Sequence, residues 1–140
     1  MAEYSYSVSL RLWHPTIRTV EITTALGIEP SRSMDVGAPR ATPKGAPLEG
    51  VYDESFWTAR LSDGKSINRS LSLAIGEALD DLASRQDFFR EFVGDGGRAE
   101  FFIGWFFDDN SGDVFDHELL ARLADFKIDL SFDVYPSTPD

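Results

Sequence analysis

Apolar and polar residues alternate from Tyr4 to Trp13. Tyr4, Tyr6, Val8, Leu10 and Leu12 fall on one side, and Ser5, Ser7, Ser9, Arg11 and Trp13 on the other. A period of two marks a half-buried strand. His14-Pro15 closes it, because proline has no N–H to give to a ladder. Thr19 is placed to cap a short helix with Ile22 and Leu26 on its apolar side, and Gly27 is its C-terminal stop. A weak strand around Ser33 to Val36 completes a first β-α-β unit. The stretch Gly37 to Gly50 is broken by Pro39, Pro43, Gly45 and Pro47 and reads as an exposed loop. Loops of that length in a compact domain are disproportionately functional.

Alternation resumes from Tyr52 to Leu61, with Phe56, Thr58 and Arg60 opposite Trp57, Ala59 and Leu61. After a turn at Asp63-Gly64, Ile67, Leu71, Ile75, Leu79 and Leu82 recur at helical spacing. Ser84 and Asp87 have the spacing of a capping box for a second helical segment, in which Phe88 pairs with Phe92. Then comes Phe101-Phe102-Ile103-Gly104-Trp105-Phe106-Phe107. With apolar groups on both faces, it belongs inside a sheet. Asp116 caps a last helix with Leu119, Leu120, Leu123 and Phe126 inward. Lys127 to Tyr135 alternates with Ile128, Leu130, Phe132 and Val134 toward the core, and residues 136–140 form a polar tail.

This order predicts one α+β domain over residues 1–140. The expected architecture is a mostly antiparallel sheet of about five strands with helices packed on one face, ferredoxin-like with duplicated β-α-β units.

Composition narrows the chemistry. The chain has no cysteine, so disulfides and thiolate sites are excluded. The N-terminal residues lack a basic region followed by an apolar run, and no segment reaches the length of a membrane span, so a cytoplasmic location is expected. A net charge of −11 disfavours nucleic acid as a partner. The acid excess is uneven: residues 108–140 hold nine acids and two bases, whereas residues 1–60 hold seven and six.

Catalytic and metal motifs fail on inspection. His117-Glu118-Leu119-Leu120-Ala121 opens like a zinc-protease helix but lacks the second histidine. Asp108-Asp109-Asn110-Ser111-Gly112-Asp113 lacks the glycine and glutamate of a calcium loop and reads as a polar turn. Only two histidines, His14 and His117, are present, and there is no nucleophile elbow or phosphate-cradling glycine loop. No cofactor or metal is expected, and a non-enzymatic role is preferred over an enzyme.

What remains is the sheet face away from the helices. Alternation puts Ser7, Ser9, Arg11 and Trp13 there, together with Arg60, Phe102, Phe106, Asp129 and Asp133. Aromatic and arginine anchors inside a polar rim are the usual make-up of a protein interface. Arg11, Trp13, Arg60, Phe102, Phe106, Asp129 and Asp133 are therefore the candidate partner-binding residues. The expected function is a protein-interaction module, with an immunity-type acidic binder of a basic toxin as one form. One alternative is a small-molecule pocket or enzyme site lined by Trp57 and Trp105. Another is a homodimer through the open face.

Some stretches also carry a resemblance: the alternating first strand, Ile22-Thr23-Thr24-Ala25-Leu26-Gly27-Ile28-Glu29-Pro30-Ser31, Gly37, Trp57, and Leu123-Ala124-Asp125-Phe126-Lys127-Ile128-Asp129-Leu130 before Tyr135. In these the chain resembles the small bacterial family called domain of unknown function 4279 over nearly its whole length. One departure is that Ala38-Pro39 stands where the family-like sequence has a charged pair. The resemblance implies one α+β domain and supplies no activity, ligand or catalytic residue.

Overall fold

The computed structural model describes residues 4–62 and 70–136. Strand β1 (Tyr4–His14) is followed by α1 (Thr19–Leu26), β2 (Arg32–Met34), β3 (Pro39–Ala41), β4 (Pro47–Val51) and β5 (Ser55–Ser62). Helices α2 (Leu71–Asp81) and α3 (Gln86–Gly94) are joined by a single 3-10 turn, Ala83–Arg85. The chain ends with β6 (Arg98–Phe107), α4 (His117–Phe126) and β7 (Ile128–Pro136). Five strands form one sheet in the order β2-β5-β1-β6-β7, and β3-β4 is a separate hairpin. All pairings are antiparallel except β6 with β7.

The alternating first strand lies at the centre. Tyr6, Val8, Leu10 and Leu12 are each at most 2% exposed and face one apolar core with residues of all four helices. Fully burying such a side chain stabilises by about 1.5–3 kcal/mol. Trp57, Phe89 and Phe101 are the largest residues fully enclosed there. The aromatic strand β6 is interior as expected, but it is flanked by β1 and β7 and is not the middle strand. The expected duplication of β-α-β units is not what the topology displays. Strands β1 and β2 run parallel with β5 between them, whereas β6 and β7 are direct parallel neighbours.

Helix starts are held from a distance. Thr19 is the first residue of α1 and not its cap; its N–H and Oγ1–H both donate to Asp35 Oδ1, at 2.7 and 2.8 Å. Hydrogen bonds from the Thr19 backbone and then its side chain hold the Asp35 carboxyl below its ordinary value. At α2, Ser70 Oγ accepts from Leu73 N–H, Tyr4 Oη accepts from Leu71 N–H, and Asp113 accepts from the Ser72 N–H and hydroxyl. The acidic turn after β6 thus serves a helix N-terminus, where negative charge meets the helix dipole. Asp116 caps α4 by accepting from Leu119 N–H, as expected, and Gly27 ends α1 at φ +69°. Ser84 and Asp87 form no capping box. The 3-10 turn takes up Ser84, whose Oγ accepts from Arg85, and Asp87 lies in the first turn of α3.

Three apolar residues assigned inward lie outside the core: Leu120, Phe132 and Val134 are 49%, 40% and 58% exposed. Strand β7 is an edge strand, and of its core-side residues only Ile128 is buried. The stretch expected as an irregular loop is the β3-β4 hairpin, with Thr42 accepting from Gly45 N–H at its turn. Paired amides and carbonyls of Gly37, Ala38 and Tyr52 continue the β2-β5 ladder into it. The predicted Asp63-Gly64 turn, Ile67 and the tail beyond Pro136 lie outside the described residues.

Candidate functional site

Residues directly opposite one another on paired strands share a face, so the register assigns the open side of the sheet row by row. One row runs Arg32, Thr58, Arg11, Glu100 and Asp129 across β2, β5, β1, β6 and β7. The row toward the start of β1 runs Arg60, Ser9, Phe102 and Ser131. The row toward its end holds Met34, Phe56, Trp13 and Arg98. Gly104 is paired with Ser7 and Asp133, and Phe106 with Ser5 and Tyr135. The seven residues singled out from the sequence (Arg11, Trp13, Arg60, Phe102, Phe106, Asp129 and Asp133) therefore lie on one face. Arg11 and Asp129 are not neighbours, because Glu100 stands between them.

The face divides into two halves of different chemistry. On the β6-β7 half, the Phe106 and Tyr135 rings stack at 5.1 Å and 12°, and both are exposed. Gly104 leaves room for this: a Cβ there would sit 2.7 Å from Ser7 Oγ and 3.2 Å from the Phe106 ring. Tyr135 donates to Asp133 Oδ2 at 2.9 Å, which pushes its phenol above the ordinary value. Glu100 accepts from Ser131 at 2.8 Å. No described strand pairs with the outer edge of β7.

The β2-β5-β1 half is bordered by the hairpin. The hairpin and the segment leading into β5 line, together with the sheet, a broad cleft of about 880 Å³ that is open to solvent. The Arg11 guanidinium lies 3.6 Å above the Phe102 ring, and Arg98 lies 4.4 Å above Trp13 while pairing with Glu54 at 3.5 Å. Trp13 and Phe56 are 5.3 Å apart. Arg32 and Arg40 line the same cleft. Sequence reasoning missed both: Arg32 sits in a three-residue strand too short to show alternation, and Arg40 in the presumed loop.

Trp57 and Trp105 do not line this cleft. Trp57 is fully buried with its Nε1–H donating to Thr23 Oγ1. Trp105 is 8% exposed, stacked 3.8 Å from Tyr4. Alternation puts both on the helix side, where they are packing residues. His14 is also engaged structurally, since its Nδ1 accepts from the Thr16 and Ile17 N–H groups. Among the described residues, no three His, Asp or Glu side chains converge as a metal site would require. No helix among them is long and apolar enough to cross a membrane.

A family model described as domain of unknown function (DUF4279) matches residues 3–137. No curated protein and no solved structure matches the chain.

Proposed function

The chain belongs to the DUF4279 family, and we propose that this member is a non-catalytic protein-interaction module that docks a basic protein on the β6-β7 half of its open face. The observation that carries the reading is the exposed Phe106–Tyr135 stack at an edge strand of nine residues with no described partner strand. Exposed aromatics beside a free edge give a partner both apolar anchors and backbone groups to pair with. The flanking charges are Glu100, Asp129 and Asp133, on a chain of net charge −11, and complementarity then calls for a basic partner. Neutralisation of a basic toxin in the cytoplasm, as an immunity protein does, is the specific form of this proposal. Homodimerisation through the whole face is less well supported, because the hairpin borders the other half and leaves a cleft there instead of a flat surface.

A basic protein encoded by a neighbouring gene is the first partner to test. At low salt, Asp129→Lys with Asp133→Lys should slow association by about tenfold or more, and salt should erase the difference. Phe106→Asp should instead speed dissociation. Association and dissociation rates unchanged in these variants would remove the proposal.

A further inference from the structure

We infer that the cleft between the sheet and the β3-β4 hairpin binds a phosphate monoester carried on a planar ring. The site is separate from the docking half of the face, and its test does not depend on that docking.

Three arginines, Arg11, Arg32 and Arg60, line its floor. Arg32 and Arg11 both stand opposite Thr58, one from each neighbouring strand, and Arg60 lies two residues along β5 on the same face. Opposed Cβ atoms in a sheet are about 4.5–5.5 Å apart, so Arg32 and Arg11 flank Thr58 on either side, Arg60 stands next along β5, and the Arg11 guanidinium leans over Phe102 of β6. Among the described residues, none of the three forms an ion pair or donates a side-chain hydrogen bond; the one recorded contact of their guanidinium groups is that of Arg11 with Phe102. Acids are not in short supply, since the chain has 24 against 13 bases, and Arg98 and Arg122 both find one. Arginines on one floor without acidic partners leave a local positive charge that an anion would neutralise. Stacking on Phe102 occupies the flat face of the Arg11 guanidinium and leaves its N–H edge free for such an anion.

Several guanidinium forks lining one cleft suit a doubly charged group with three acceptor oxygens better than a single carboxylate. The apolar end of the cleft is one row away. Trp13 and Phe56 form it, two residues along from Arg11 and Thr58, which corresponds to about 7 Å. A ring that far from the phosphorus atom has the spacing of a nucleoside monophosphate. The wall opposite carries Glu49, Asp53 and Glu54, which repel a longer polyphosphate and accept hydrogen bonds from amino or hydroxyl groups. A volume of about 880 Å³ is ample for a ligand of this size.

The test is calorimetric titration of the intact protein with adenosine monophosphate, adenosine, ribose 5-phosphate and inorganic phosphate. Adenosine monophosphate should saturate, and the other three should each bind about tenfold or more weakly. Arg32→Gln with Arg60→Gln should weaken the monophosphate by at least about tenfold, whereas Arg122→Gln on the helix side should leave it unchanged. Both cleft arginines are exposed, so the variants should fold, and circular dichroism checks this. No saturation by about 10 mM, or undiminished binding in the double variant, would overturn the site. Equal affinity for ribose 5-phosphate would overturn the ring.

Discussion

Ser55→Ala tests how the hairpin is anchored. Ser55 is 1% exposed at the start of β5, and its hydroxyl donates to the Ile17 carbonyl at 2.6 Å and accepts from Val36 N–H at 2.9 Å. It thereby ties the turn after β1 to the foot of the hairpin. Removing the hydroxyl orphans one acceptor and one donor, at about 1–3 kcal/mol for each group that stays unpaired. Ile17 and Val36 are only half-buried, so water recovers part of this. The expected loss is then about 2–3 kcal/mol, a sizeable share of the roughly 5–15 kcal/mol typical of a domain. Urea denaturation should report it as a lower midpoint at unchanged slope. Hydrogen exchange should locate it: the Gly37 and Tyr52 amides, which close the neck of the hairpin, should lose more protection than amides of β1. A loss under about 0.5 kcal/mol, or a uniform loss of protection, would refute the claim that this hydroxyl anchors the hairpin.

Gly97→Ala should destabilise by about 3 kcal/mol in the same assay, because its Cβ would lie 2.6 Å from the Phe92 ring and 2.7 Å from the Phe92 carbonyl. Gly94→Ala, with open space around it, should be neutral or stabilising by up to about 1 kcal/mol. Asp35→Ala should cost about 1 kcal/mol at neutral pH by releasing the start of α1. The Asp35 carboxyl is lowered in the fold, so its contribution is present above the ordinary value of 3.8 and lost as pH falls through the native value. The gap between wild type and variant should therefore close in acid. Tyr4→Phe keeps the stack on Trp105 but leaves Leu71 N–H without its acceptor, and should cost about 1–2 kcal/mol. Burial, the largest cause, raises the Tyr4 phenol, and nearby Asp113 adds to it. Its contribution is then full below 10.0 and lost as pH rises through the native value, so ultraviolet titration should find one phenol in wild type that ionises above the ordinary value and is missing from the variant.

Local grammar carried much of the fold. Strand faces from Tyr4 to Trp13 and from Phe101 to Phe107 were legible because side chains alternate strictly along a strand, which also put the seven candidate residues on one face. Gly27 and Asp116 were legible as helix ends because capping acts within three or four residues. Asp35 and Asp113 were not, since they cap helices 16 and 41 residues away along the chain, as the bonds to Thr19 and Ser72 record. The hairpin was hidden by Pro39 and Pro47, which argue against a strand but are tolerated in a two-stranded ribbon made wholly of edges.

The sequence by itself determined which residues look inward, because periodicity is a property of neighbours along the chain. It did not determine how far the covering layer extends: Phe132 and Val134 alternate correctly yet remain exposed, because β7 occupies the sheet's edge. Nor did it determine the contents of the cleft. Arg11, Arg32 and Arg60 come from three strands that are distant in sequence and line one cleft only through the order β2-β5-β1. Strand order is settled by which apolar faces can be buried together, a sum over the whole chain, and the shared cleft of those arginines is its consequence.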